Sequence, residues 1–67
     1  MNSGKYEKVC YRTEQREENV LLRNLKNGRT GYSFGCTTAG ETLQVRLSDG
    51  SLDSWQREDC TEIGSGP

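Results

Sequence analysis

The chain has 67 residues and contains no histidine, one proline and few aromatic residues, which are one tryptophan, one phenylalanine and three tyrosines. Histidine is the commonest general base in enzymes, and without it the cysteines have no imidazole to activate them as nucleophiles. The sequence also has no C-x-x-C pair, so a zinc site is not expected. We therefore expect a protein that is not an enzyme and that needs no metal or cofactor.

Long hydrophobic runs are absent as well. No stretch approaches the roughly 18 apolar residues of a membrane span, and the opening "MNSGKYEKVC" lacks the apolar segment of a signal peptide. The chain has three cysteines, Cys10, Cys36 and Cys60. An odd number of widely spaced cysteines does not indicate a framework of disulfide bonds. These features predict a cytoplasmic protein that has reduced thiols and makes no contact with a membrane.

The charge is nearly balanced overall but is uneven along the chain. The net charge is −1, with 28% charged and 30% hydrophobic residues. Residues 1–29 carry seven Lys/Arg and four Glu, and residues 30–67 carry two Arg and six Asp/Glu. A dedicated nucleic-acid binder usually has a basic excess, so nucleic acid is the less favoured partner. So small a domain is marginal alone, and a homo-oligomer or a bound partner could add stability.

The segment "TEQREENVLLRNLKNG" (residues 13–28) is compatible with two structures. As a helix it would begin at Thr13 and stop at Gly28, with acidic residues early and basic residues late. As a strand it would lead into a tight turn at Asn27-Gly28, which is a strong hairpin signal. We favour a strand from about Val20, because the sequence that follows is typical of β structure.

Four later stretches predict strands. In "TGYSFGC" (residues 30–36), Tyr32, Phe34 and Cys36 alternate with small residues, so we expect these three on one face of the strand and Tyr32 and Phe34 in the core. "LQVRL" (residues 43–47) places its apolar residues on one face and leads into an Asp49-Gly50 turn. "SLDSW" predicts a short strand, "QRED" predicts a single helical turn, and "CTEI" predicts a last short strand. Strands at this spacing predict a rolled sheet or small barrel.

The order of these features resembles the SH3-like small β-barrels, with Tudor and KOW domains as the nearest comparison. The matching residues are Gly28, Gly31, Val45, Leu47, Asp49, Gly50 and Ile63. The resemblance implies an all-β fold of about five strands over residues 20–63. An N-terminal arm, extra strand or short helix would then occupy residues 1–19, and a flexible tail residues 64–67. It implies a binding module without naming the ligand, because a fold does not specify a function.

Trp55 is the first candidate for a contact residue. A two-residue turn at Asp49-Gly50 would pair Leu47 with Leu52 and Arg46 with Asp53, and would leave Trp55 on the outer face. A shift of one residue in this register would instead turn Trp55 to the inner face and Leu52 to the outer face. The chain has one tryptophan, and burying so large a side chain would contribute much to a small core. Both placements of Trp55 stay open. If it is exposed, the predicted protein-binding surface comprises Trp55, Arg46, Asp53, Gln44 and Arg57.

We therefore predict a non-catalytic binding module, a small regulator or adaptor that docks on another protein. The alternative is a nucleic-acid-binding module that uses the basic N-terminal half. In that case phosphates would contact Arg12, Arg16, Arg23 and Lys26, and tyrosines would offer stacking surfaces.

Overall fold

The computed structural model describes residues 1–65 and consists of one α-helix and five β-strands. The elements are α1 (Ser3–Gln15), β1 (Val20–Asn24), β2 (Thr30–Thr37), β3 (Thr42–Leu47), β4 (Leu52–Gln56) and β5 (Cys60–Ser65), with 3₁₀ turns at Thr38–Gly40 and Arg57–Asp59. The strands form one antiparallel sheet in the order β4-β3-β2-β1-β5. The expected five strands are confirmed, but the fold is mostly sheet and not all-β, because the N-terminal segment forms a 13-residue helix that contributes Tyr6 and Val9 to the core.

Helix α1 is capped by Asn2, whose side-chain oxygen accepts a hydrogen bond from the backbone N–H of Lys5 at 2.8 Å. Such a cap satisfies one of the backbone donors that the first turn of a helix leaves unpaired. Three residues at helical spacing, Tyr6, Val9 and Thr13, form the buried side of the helix. This side packs against the sheet, mainly along β2.

The ambiguous segment divides between the two predicted structures. Helix α1 ends at Gln15, so Thr13 lies in its last turn and does not begin a helix. Strand β1 begins at Val20, which confirms the favoured strand. Gly28 has a φ of +74° in the turn after β1, where a side chain would be strained.

The core lies between α1 and the inner face of the sheet. Its buried apolar residues come from the helix and from four of the strands: Tyr6, Val9, Val20, Leu22, Leu43, Val45, Leu47, Trp55 and Cys60. The hydroxyl of Tyr6 lies 3.1 Å from the carbonyl oxygens of Thr37 and Thr42, which ties the helix to the end of β2 and the start of β3. Burial raises the pKa of this tyrosine, and the negative charge of Glu41 adds to the shift.

The sheet curls, because its two edge strands are neighbours along the chain. Strands β4 and β5 lie at opposite edges, yet only the three residues Arg57–Asp59 separate them. In a flat sheet the edges of five strands would be roughly 19 Å apart. The connection from Gln56 to Cys60 can span at most about 14 Å. The outward-facing residues of β1–β4 lie on the convex side of this curled sheet.

Strand β5 continues to Ser65 and so includes the first part of the tail expected over residues 64–67. The remaining residues of that tail, 66 and 67, lie outside the described residues.

Candidate binding surface

Trp55 lies in the core and is only 4% exposed. It stands opposite Leu43 of β3, and the residue opposite Arg46 is Leu52. The indole Nε1 donates a hydrogen bond to the carboxylate of Asp53 at 3.1 Å, so its polar atom has a partner. The predicted register, with Leu52 inside and Trp55 outside, is therefore wrong, and the core placement of Trp55 is correct.

The hairpin loop between β3 and β4 explains this register. The N–H of Leu47 donates to the carbonyl of Ser51 at 2.9 Å, and the N–H of Gly50 donates to the carbonyl of Leu47 at 2.9 Å. The loop therefore has three residues, Ser48, Asp49 and Gly50, and not two. Gly50 has a φ of +89°, the left-handed conformation that glycine supplies in three-residue loops. The one additional loop residue turns every side chain of β4 to the other face.

The four residues predicted to surround Trp55 do not form one surface. Gln44 and Arg46 are outward-facing neighbours on β3. Asp53 is exposed on the edge strand β4. Arg57 lies in the 3₁₀ turn after β4, where its guanidinium pairs with the carboxylate of Glu41 at 2.6 Å. The structure thus keeps Gln44 and Arg46 on a common face and places Arg57 elsewhere.

A different set of residues forms a row on the outer face of the sheet, in which Leu21 is half-buried and the other members are exposed. Leu21 stands opposite Tyr32, Tyr32 opposite Arg46, and Arg46 opposite Leu52, so the row crosses β1, β2, β3 and β4. Tyr32 is 41% exposed, Phe34 is 47% exposed and Leu52 is 62% exposed. We call these five residues, Leu21, Tyr32, Phe34, Arg46 and Leu52, the outer patch.

Arg46 and Phe34 interact within the outer patch. The guanidinium carbon lies 5.8 Å from the centre of the phenylalanine ring, which is cation–π distance. The contact joins β2 to β3 on the exposed side of the sheet. It holds a cationic group beside an aromatic ring, a combination that suits the binding of groups that are partly apolar and partly anionic.

The small residues of β2 explain why its aromatic rings point outward. A side chain at Gly31 would place its Cβ 2.8 Å from the carbonyl oxygen of Arg46. Ser33 is buried beneath α1, where its hydroxyl lies 2.7 Å from that of Thr13. The inward face of β2 therefore has no room for Tyr32 or Phe34, and the expectation that these rings form core is wrong.

A β-bulge in β2 positions a disulfide. The pairing of β2 with β3 shifts between Ser33 and Gly35, which sets Cys36 opposite the inward-facing Leu43. Cys36 then faces α1 and is bonded to Cys10, with the two Cα atoms 5.8 Å apart. The expectation of three reduced thiols is wrong, and so is the shared face expected for Cys36 and the aromatic rings of β2.

Cys60 is the free cysteine within the described residues, and it is fully buried. Burial raises the pKa of its thiol to about 11. The Sγ atom donates to the carbonyl of Gln56 at 3.4 Å. A thiol that stays protonated and inaccessible is a poor nucleophile, so Cys60 is a core residue.

The basic residues proposed for phosphate binding are dispersed from α1 to the turn after β1: Arg12, Arg16, Arg23 and Lys26. Arg12 of α1 and Arg16, which directly follows the helix, lie 2.6 Å and 3.5 Å from the carboxylate of Glu18. Lys26, in the turn after β1, lies 3.3 Å from Asp59. Arg23 is exposed on the outer face of β1, opposite Thr30. The structure does not bring the four residues together, and carboxylates neutralise three of them.

Glu62 links β5 to α1. One carboxylate oxygen lies 2.8 Å from the ammonium of Lys5, and the other lies 2.9 Å from the guanidinium of Arg12. Burial of the carboxylate raises its pKa, but the two cations outweigh that effect and hold the pKa of Glu62 below its ordinary value. This cluster orients the helix on the sheet and lies on the side of the molecule away from the outer patch.

The remaining observations assign no chemistry to the chain. Within residues 1–65, no three Cys, Asp or Glu side chains gather as a metal site. In the same part of the chain, no helix has the length and apolar character needed to cross a membrane. No protein-family model, curated protein or solved structure matches the chain. The function is therefore argued from the outer patch.

Proposed function

We propose that this protein is a non-catalytic binding module, a small regulator or adaptor, that docks on another protein through the outer patch. The observation that carries the proposal is the contiguous row of apolar and aromatic side chains around Arg46, of which Tyr32, Phe34 and Leu52 are exposed. Tyrosine and arginine are enriched among the residues that dominate binding energy. Exposed apolar patches rimmed by polar residues commonly mark sites of protein–protein interaction.

We further propose that the curled sheet is a small barrel of the SH3-like type, related in architecture to Tudor and KOW domains. Two features support this assignment. The three-residue connection from β4 to β5 draws the sheet edges together. The glycines at the two hairpin turns have positive φ angles at Gly28 and Gly50. In this architecture the convex outer face remains open to a partner.

The cytoplasmic location expected from the sequence stays a prediction. This prediction depends partly on reduced cysteines, and the bond between Cys10 and Cys36 removes that support. Disulfides persist mainly in oxidising compartments. A cytoplasmic location now requires this bond to withstand the cellular reductants.

Site-specific photo-crosslinking tests the docking surface. A photoreactive aromatic amino acid is placed at Tyr32 of the outer patch, or at Tyr11, which is 59% exposed on α1 and serves as the matched control. We expect a discrete crosslinked protein from position 32 and not from position 11, and we expect the product to disappear when Leu52→Ala is added. Crosslinks from position 11 alone would move the docking surface to the helix.

Single-stranded nucleic acid is the second candidate ligand. The exposure of Tyr32 and Phe34 favours it, because bases stack on aromatic rings. The net charge of −1 opposes it, since phosphate binding draws its affinity from many cations. We expect oligo(dT) to bind weakly and to dissociate at ~150 mM salt. Micromolar binding of oligo(dT) at that salt concentration, abolished by Tyr32→Ala, would favour nucleic acid over a protein as the ligand.

A further inference from the structure

The charged residues at the outward-facing positions of the sheet are cationic. By the strand register these residues are Arg23 of β1 and Arg46 of β3, and within residues 1–65 no carboxylate occupies an outward position of a strand. The carboxylates of β4 and β5, Asp53 and Glu62, stand opposite inward-facing residues of their neighbouring strands. The outer face is therefore positive although the whole chain has a net charge of −1.

The two arginines of the outer face are also uncompensated. Four carboxylates lie within 4.0 Å of five cations on other parts of the molecule: Lys5, Arg12, Arg16, Lys26 and Arg57. Among the described residues, Arg23 and Arg46 take part in no such ion pair, and neither do Lys8 of α1 and Arg29 of the turn before β2. An arginine without a carboxylate in its own chain is available to one from a partner, which its planar group can bind through two parallel hydrogen bonds.

The dimensions of the outer patch suit a short extended segment. The row from Leu21 to Leu52 crosses three gaps between adjacent strands, which is roughly 14 Å. An extended chain covers that distance with about four or five residues. Leu52 and Phe34 offer apolar surface on the two sides of Arg46.

We propose that the outer patch binds an acidic and apolar peptide segment of the partner protein. Carboxylates of the segment face Arg46 and Arg23, and one of its aliphatic or aromatic side chains packs against Tyr32, Phe34 and Leu52. The inference rests on the proposed function, since it names the chemistry of the segment that docks there. The experiment below distinguishes failure of the acidic peptide as ligand from failure of the docking function itself.

A polynucleotide fits the same surface less well. Its phosphates would need a row of cations along the path of the backbone, and the outer strand positions provide two. The negative net charge repels a long polyanion but costs little for a segment with two or three carboxylates. A peptide also uses the apolar residues Leu21 and Leu52 better than a phosphate backbone does.

Selection from a display library of random twelve-residue peptides tests the inference. The oxidised protein serves as the target, and the Tyr32→Ala/Phe34→Ala variant is used to remove peptides that bind elsewhere. We expect the retained peptides to combine two or more Asp/Glu with a nearby aromatic or aliphatic residue. A retained peptide is then synthesised, and its affinity is measured by calorimetry at ~150 mM salt.

Charge reversal supplies the matched controls. We expect Arg46→Glu to weaken the peptide by at least about tenfold, the scale of one lost charge-assisted contact. A peptide with its Asp/Glu changed to Lys should then bind Arg23→Glu/Arg46→Glu better than it binds the wild type. Arg16→Glu, at the C-terminal end of α1 and away from the outer patch, should leave the affinity unchanged.

Four outcomes would overturn the inference. Retained peptides that are neutral or basic would leave the proposed docking function standing without its acidic ligand. Failure to retain any peptide, together with loss of position-specific crosslinking at Tyr32, would remove the docking function as well. Tight binding of oligo(dT) that depends on Arg46 would replace the peptide by nucleic acid. A concentration-dependent dimer that dissociates in Tyr32→Ala would replace it by a second copy of this chain.

Discussion

Arg46 of β3 lies over the ring of Phe34 of β2, with 5.8 Å between the guanidinium carbon and the ring centre. Both side chains are exposed, and the cation–π attraction favours the arrangement in which they are in contact. A surface that is ordered before it binds loses less side-chain entropy on association. This pair therefore gives the outer patch a defined cationic centre between its aromatic and aliphatic residues.

Trp55 is expected to be a major source of stability. We predict that Trp55→Ala lowers the free energy of unfolding by ~3–5 kcal/mol, because it leaves a cavity in the core beside Leu43. Leu52→Ala, in the same strand but facing outward, should cost less than about 1 kcal/mol. Urea titration measures both. The tryptophan fluorescence of the wild type should be blue-shifted and not quenched by iodide, because the indole is buried. A fluorescence maximum typical of water would contradict this burial.

Two glycines of β2 should respond differently to the same substitution. Gly31→Ala would bring a Cβ to 2.8 Å from the backbone oxygen of Arg46, so a strand must shift. At Gly35 the nearest atom would be the Cγ of Gln44 at 3.9 Å, an ordinary contact. We expect Gly31→Ala to destabilise the protein by about 1–3 kcal/mol, as overpacking does, and Gly35→Ala to cost less. Thermal melting curves of the two variants provide the comparison, and equal costs would argue against the close approach of β2 and β3.

The disulfide should stabilise the fold by restricting the unfolded chain. Cys10 and Cys36 are 26 residues apart, a separation for which a bridge is worth about 3 kcal/mol. We expect a dithiol reductant to lower the unfolding free energy of the wild type by about that amount. Cys10→Ser/Cys36→Ser should be equally destabilised and insensitive to the reductant. A wild-type protein that melts identically with and without reductant would mean that the bond contributes nothing to stability.

The cluster around Glu62 should make stability depend on pH in the acid range. The pKa of Glu62 is lowered in the folded protein, so its contribution is present above the unfolded value of about 4.3 and is lost as the pH falls through the folded value. We expect Glu62→Gln to be less stable than the wild type at neutral pH and to approach it in acid. Glu7→Gln, an exposed change on α1, is the control and should show no such convergence. A difference between wild type and Glu62→Gln that stays constant down to pH ~2 would contradict the role given to the two cations.

The strands were predictable because their signals are local. Alternation in "LQVRL" and the glycine turns at Gly28 and Gly50 depend on neighbouring residues alone. The face that each strand presents was harder to predict, because it depends on counting loop residues. The sequence Ser-Asp-Gly-Ser is compatible with a loop of two or three residues, and the choice decides whether Trp55 or Leu52 is buried.

The outer patch was missed for a reason that lies outside its own residues. Tyrosine and phenylalanine are residue types that commonly lie in a protein core. Tyr32 and Phe34 are excluded from it because α1 packs on the opposite face of β2. The clue was the small residues Gly31 and Ser33, which indicate close packing on their own side. The bulge that turns Cys36 toward Cys10 has no local signal beyond Gly35.

The central claim is that the outer patch binds a partner without supporting the fold. The most direct measurement is the affinity of the crosslinked partner, once purified, for the wild type and for Tyr32→Ala/Phe34→Ala, with the free energy of unfolding of each determined in parallel. We predict that affinity falls by at least about thirtyfold, the scale of one interfacial hot spot, while the free energy of unfolding changes by less than about 1 kcal/mol. Unchanged affinity in a variant that remains folded would contradict the claim.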